Sequence, residues 1–269
     1  MPDPLAQSLS GIAMRILTFS VLSCVLAVCS SGSGGLISSS VAAPASAPGG
    51  VYVGYYQEDP VTNPEDPTIG SVYLNLPASD SQFTGNMYFT YFGCQRSNVG
   101  TISGSKAGTA LNGNWTGTLD GTHQTGSFKG AYTAAQSVWA GDYTVSGGKQ
   151  HISVPSCISY FVAPKGTFEL FAIGQSTPSS FAATVNGNTV RWNPPAGAAM
   201  TLVYVVDPAI ASSGGTHATV WQTLVLGTTG TQSLGSAKLV SGHRYVVAVG
   251  ATDDRSRRLA FSSAPFTAP

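Results

Sequence analysis

The side chains best able to do chemistry are few in this chain of 269 residues: four cysteines, four histidines and twelve carboxylates. Neither Cys94 nor Cys157 has a histidine or second cysteine beside it, so a zinc site finds no support. His123, His151, His217 and His243 all lie outside motifs such as Gly-x-Ser-x-Gly or His-Glu-x-x-His, and His123 and His217 read as turn residues. Hydrolysis by a triad needs a nucleophile, a base and an orienting acid, and no such set is legible. A glycosidase pair of carboxylates depends on a separation set by the fold. Glu169, within Phe168-Glu169-Leu170, is the one acid expected to project from a regular strand, and it is expected to face outward. The run from Glu58 to Pro67 holds four carboxylates and Asn63, which are oxygen ligands suited to calcium. It lacks the glycine-punctuated spacing of a calcium loop and three prolines stiffen it, so a rigid, solvated turn is expected. No glycine-rich phosphate loop is present. The expectation is a chain without catalytic residues, metal or cofactor.

The cysteines carry a different message, about address. Ile16 to Ala27 is a short apolar run behind Arg15. It falls short of the roughly 20 apolar residues that span a bilayer, and it has the form of a signal-peptide core. Met14 is a candidate start, with Met1 to Ala13 as overhang. Leu26-Ala27-Val28-Cys29 resembles a bacterial lipobox, although Val28 stands where a small residue is usual. Val21-Leu22-Ser23-Cys24 is the rival, with the small residue but an unusual Leu22. Cys29 is preferred because Ser30-Ser31-Gly32-Ser33-Gly34-Gly35 follows it as a tether. The resemblance implies lipidation of Cys29, by palmitate or a similar acyl chain, and attachment of the chain to a membrane. Ser30 after the cysteine resembles the outer-membrane sorting of lipoproteins. Secretion after cleavage near Ala43 or Ala47 is the alternative. Residues 1–29 are thus read as signal and 30–50 as a flexible Ser/Gly/Ala/Pro stalk. With Cys24 removed and Cys29 acylated, Cys94 and Cys157 remain, and in an oxidising compartment they are expected to form one disulfide.

The elements that must carry these residues read as strands. Lys plus Arg and Asp plus Glu are equal at 12 each, and only 9% of residues are charged. That balance excludes nucleic acid as a partner, because such binding requires a positive field. With 32 Gly and 16 Pro, and Thr, Ser, Tyr and Val outweighing Lys and Glu, the expected class is all-β.

Five segments repeat one pattern over residues 51–174: Tyr52-Gly54-Tyr56, Phe83-Gly85-Met87, Trp115-Gly117-Leu119, Phe128-Gly130-Tyr132 and Trp139-Gly141-Tyr143. Spacing of two puts each triplet on one strand face. Glycine on that face leaves room for neighbouring rings and lets the strand coil, which predicts a small antiparallel β-barrel. Turn spacing predicts eight to ten strands, with others near Val72–Leu76, Ile158–Val162 and Phe168–Ile173. Gly113 to Val145 is faintly similar to the meander of avidin-like and lipocalin-like barrels. Asn114-Trp115-Thr116 is a glycosylation sequon only in a eukaryotic secretory pathway.

Residues 177–269 change character, with fewer glycines and longer alternation. Phe181–Val185, Thr189-Val190-Arg191-Trp192-Asn193-Pro194-Pro195 and Thr201–Val206 read as successive strands. Leu239-Val240-Ser241-Gly242-His243-Arg244-Tyr245-Val246-Val247-Ala248-Val249-Gly250-Ala251 resembles the Leu-x-x-Gly-x-x-Tyr-x-x-x-Val-x-Ala run of fibronectin type III domains. The resemblance implies a β-sandwich in which Tyr245 closes a corner. The segment Ser212–Gly230 departs from the family in its length and glycine content. Asp253, Asp254, Arg255, Arg257 and Arg258 fall in the loop before the last strand and are candidate partner contacts, against a solvated turn. Two functions stay open: a non-catalytic surface module that binds an envelope protein or glycan, and a carrier that holds a small apolar ligand in the barrel. A glycan-processing enzyme is the weaker third, and needs two carboxyls facing one cleft.

Overall fold

Period-two alternation with glycine on one face produces ten strands in the first half of the computed structural model. The structure describes residues 47–59, 69–90, 97–119, 122–147, 151–153, 159–161, 165–255 and 257–269. The strands are β1 (Gly50–Glu58), β2 (Ile69–Leu76), β3 (Ser81–Thr90), β4 (Ser97–Ala107), β5 (Ala110–Leu119), β6 (Thr122–Thr133), β7 (Val138–Gly147), β8 (His151–Ser153), β9 (Ser159–Phe161) and β10 (Lys165–Ala172). Eight of them close an antiparallel barrel in the order β1-β10-β7-β6-β5-β4-β3-β2, while β8 and β9 pair apart from it. The barrel predicted from the Gly/aromatic pattern is therefore present.

Ring and glycine are directly paired across neighbouring strands. Tyr56 lies opposite Gly70, Phe83 opposite Gly104, Trp115 opposite Gly126, Phe128 opposite Gly113, Tyr143 opposite Gly166 and Phe168 opposite Gly141. Each ring occupies the space a partner side chain would take. A Cβ on Gly104 would sit 2.8 Å from Phe83 Cζ, and one on Gly130 would sit 2.7 Å from Phe168 Cζ. The rings then meet each other edge-on, Tyr56 with Tyr143 at 5.7 Å and Phe128 with Phe168 at 5.8 Å between centroids. Edge-to-face contact at these separations is the favoured aromatic geometry.

The second half builds two sheets. One is ordered β11 (Ser176–Thr177), β18 (Arg258–Thr267), β17 (Arg244–Thr252), β14 (Met200–Val206), β15 (Thr219–Leu226); the other is β12 (Thr184–Asn186), β13 (Thr189–Arg191), β16 (Thr231–Ser233). Phe181 precedes its strand, in a turn closed by its N–H on the carbonyl of Pro178. Phe181, Val190, Trp192, Val203, Val205, Tyr245, Val247 and Val249 fill the space between the sheets. The Tyr245 hydroxyl accepts from the N–H of Val240 at 3.2 Å. Just before the departing segment, which holds β15, Asp207 caps the short helix α1 (Pro208–Ser212), its Oδ1 accepting from the N–H groups of Ala209 and Ile210.

Barrel and sheets share a third core. Val53, Tyr55, Ile69, Tyr73, Tyr88 and Phe171 on the barrel's outside pack with Leu202, Tyr204, Val206, Ala248 and Phe261 of the five-stranded sheet. Phe171 and Phe261 stack at 4.2 Å with 13° between ring planes. Polar groups lock the joint: Tyr204 OH donates to the carbonyl of Gly54 at 2.6 Å, Ser71 Oγ to Gln222 Oε1 at 2.7 Å, and Tyr73 OH to the carbonyl of Gly215. Residues Ala42–Pro269 accordingly form one compact unit in which the two predicted parts are fused.

Candidate functional site

With one flank of the barrel spent on that core, its remaining outer face is the broadest surface available for recognition. Side chains alternate in and out along each strand, so the residues between the interior rings must point to solvent. In register they form rows. Gln82, Ser105, Asn112, Lys129, Asp142, Thr167 and Gln57 are successive cross-strand partners on β3, β4, β5, β6, β7, β10 and β1. A second row runs Thr84, Ser103, Asn114, Ser127, Thr144, Lys165. Neighbouring hydroxyls are within bonding reach, Thr101 with Thr116 at 3.1 Å and Ser127 with Thr144 at 3.0 Å.

The surface over these rows is a shallow trough of about 730 Å³, with Gly104 and Gly113 in its lining. It meets, at Asp142, a second cleft of about 510 Å³ lined by Tyr55, Gln57, Thr167, Glu169 and Arg258. The buried Oε1 of Gln57 has no hydrogen-bond partner among the described residues.

Glu169 faces outward from β10, as expected, but solvent is not its partner. Its Oε2 accepts from Tyr55 OH at 2.5 Å and pairs with Arg258 Nε, and its Oε1 accepts from Arg258 Nη2 at 3.1 Å. Burial, then the neighbouring Glu169 charge, push the Tyr55 hydroxyl well above its ordinary range. Asp142 and Glu169 line one cleft, which is the arrangement a glycosidase would need. Both Glu169 oxygens, however, are engaged in the joint by Tyr55 and Arg258.

The loop residues singled out from sequence divide. Asp253 accepts from the N–H groups of Arg255 and Arg257 at 2.9 and 2.8 Å and pairs with the Arg257 guanidinium, so it organises its own turn. Burial alone would raise its carboxyl, but these hydrogen bonds outweigh that and hold it below the usual range. Arg258 serves the joint, while Asp254 and Arg255 are exposed. His243, unremarkable in sequence, pairs with Asp207 at 2.8 Å beside a groove of about 570 Å³ lined by Pro208, Arg244, Tyr245 and Pro265. The partners are 36 positions apart, beyond any motif. Among the described residues there is no cluster of three metal-ligating side chains, and no helix is long and apolar enough to cross a membrane.

The barrel interior is filled. The void among Tyr56, Leu74, Met87, Trp115, Phe168 and Leu170 is about 30 Å³, whereas ligand sites run to roughly 300–1,000 Å³. Of the acidic run, Glu58 is buried and Asp59 pairs with Lys165 at 3.2 Å. The rest of that run, with Cys29, Cys94 and Cys157, lies outside the described residues. In sum the exposed trough can donate and accept hydrogen bonds over a long, mostly uncharged face, and the remaining polar clusters hold the fold together. No family model matches this chain, and no curated protein or solved structure matches it either.

Proposed function

We propose that this chain is a non-catalytic, lipid-anchored surface protein of a bacterial cell envelope, attached to the outer membrane through Cys29, whose binding face is the polar trough of the barrel and whose partner is an envelope glycan. The observation that carries the reading is the unbroken row from Gln82 to Gln57, whose seven residues are joined by six direct cross-strand pairings. Amides and hydroxyls both donate and accept, which suits the hydroxyls of a neutral sugar chain. Protein interfaces are instead enriched in aromatic residues and Arg, and the exposed residues of these rows include neither. A carrier role fits poorly with an interior void of about 30 Å³. The C-terminal half is read as a fibronectin type III-like sandwich, supported by the Trp192 core and the Tyr245 corner.

Metabolic labelling with a fatty acid tests the anchor. Label is expected in the parent and lost in Cys29→Ala; loss only in Cys24→Ala moves the anchor to Cys24, and an unlabelled parent removes it. The face is tested by NMR titration of the parent with neutral oligosaccharides. Shifts confined to β4–β7 and lost in the double variant Asn112→Ala, Asn114→Ala are expected, and shifts centred elsewhere refute the assignment.

A further inference from the structure

Strand β15 ends the five-stranded sheet, and among the described residues nothing pairs with its outer edge. Its sequence, TVWQTLVL, is eight residues long and carries no charge. The whole stretch from Pro208 to Ala237 contains no Lys, Arg, Asp or Glu. Val220 and Leu226 are 38% and 57% exposed, and both are among the most exposed large apolar residues described. Natural sheets protect such edges with lysine, proline, short strands or a covering element. Here the pairing steps from Val205–Trp221 to Val206–Thr219 and leaves Val220 as an extra residue, and the turn Gly235–Ala237 touches the strand at Trp221, whose Nε1 donates to Ser236 Oγ at 3.1 Å. From Trp221 to Leu226 the strand is regular, and no described strand pairs with its outer edge.

The choice of occupant follows from charge and register. Two identical strands meeting antiparallel about a two-fold axis normal to the sheet keep their faces aligned when the axis passes through a residue. An axis through Thr223 sets Trp221 of one copy against Val225 of the other, and Gln222 against Leu224. It also brings the exposed Val220 towards the exposed Leu226, twice. Like charges facing each other across paired strands destabilise them, and none would meet here. The chain adds no long-range repulsion, with 12 basic and 12 acidic residues.

We propose that β15 pairs antiparallel with β15 of a second copy about an axis through Thr223, joining two five-stranded sheets into one of ten strands. Backbone hydrogen bonds supply the attraction, and the apolar pairs at each end fix the register. The proposal stands apart from the anchor and from the glycan-binding face.

Cysteine cross-linking of the full chain in membranes tests it. Directly opposed residues of antiparallel strands have Cα atoms about 4.5–5.5 Å apart, within disulfide range. Thr223→Cys should therefore run as a dimer without reductant and as a monomer with it, and the parent should remain monomeric. Adding Leu226→Lys to Thr223→Cys should cut the dimer about tenfold. That position is exposed enough to accept lysine without unfolding the sheet. A control cysteine at exposed Ser212, on α1, should not cross-link. Monomeric Thr223→Cys overturns the proposal, and so does equal cross-linking through Ser212→Cys, which would mean collision rather than pairing.

Discussion

Phe261→Ala should weaken the barrel and the five-stranded sheet together, although the residue belongs to the sheet. Phe261 is fully buried, stacked on Phe171 of β10 at 4.2 Å and tilted against Tyr55 of β1 at 6.0 Å. Opposite it stand Gly250 on β17 and the small Thr177 on β11, so little side-chain volume is at hand to fill the hole. Removing a buried phenylalanine costs about 3–5 kcal/mol where the site cannot collapse. Against a total of roughly 5–15 kcal/mol for a folded domain, that is a large share. At about 2–4 °C per kcal/mol for a unit of this size, the midpoint should fall by roughly 6–20 °C.

The informative readout is where that loss is felt. Hydrogen exchange measured by peptide separates β5–β6, deep in the barrel, from β14 and β17. If the shared core makes the two halves one cooperative unit, the slowest amides of both should speed up by the same factor in Phe261→Ala. If the halves were separately stable units touching at a surface, only β14, β17 and β18 would lose protection. Unchanged protection in β5 and β6 would refute the single-unit reasoning, whatever happened to the five-stranded sheet.

Three further outcomes follow from the same geometry. Gly113→Ala should cost about 1–3 kcal/mol in urea unfolding, because its Cβ would arrive 2.5 Å from Phe128 Cζ and against the Ser103 carbonyl. Burial raises the hydroxyls of Tyr55, Tyr143 and Tyr204 well above 10 and that of Tyr73 to about 12. Folding therefore retains protons the unfolded chain would lose, so the stability they contribute is complete below pH 10 and drains away above it; tyrosinate absorbance should rise for these residues only together with unfolding. Cys94 and Cys157 should be linked in the exported protein, resisting alkylation until reduced, and reduction should cost roughly 3–5 kcal/mol; two freely alkylated thiols in the unreduced, unfolded chain would count against the bond.

The barrel was legible because its signal is local. A ring, a glycine and an apolar residue at spacing two declare one inward face, and the pairing of rings with glycines follows once neighbouring strands are in register. The fused core was less visible, yet a trace of it exists. Val53 and Tyr55 on β1 stand between Tyr52, Gly54 and Tyr56, so β1 is apolar on both faces, and β2 is buried along nearly its whole length. Two-faced apolar strands mark sheets covered on both sides, which a free-standing barrel would not need. Glu169 and Arg258 were each conspicuous alone. Their union spans 89 positions and requires the docked arrangement, and the His243–Asp207 pair, across 36, requires β14 beside β17. No spacing rule reaches that far.

Filling the barrel and burying one of its flanks together constrain what the molecule can offer a partner. Six interior rings lie opposite a glycine, and the void left among the interior side chains is about 30 Å³. The β1–β2–β10 flank is consumed by the sheet, with Tyr204, Glu169 and Arg258 fixing the joint. Recognition is thereby left to outward surfaces, where one class of chemistry dominates each. Across β3–β7 it is the hydrogen-bonding side chain, nearly without charge; along β15 it is the bare strand edge. In the proposed reading, the first surface would select by matching many weak, directional contacts over its length. The second is suited to a strand with the same neutral, alternating character. Because both surfaces sit on one fused body, a second copy docked at β15 would hold two troughs at a fixed separation, and a long glycan engaging both would gain from effective concentration rather than from stronger single contacts.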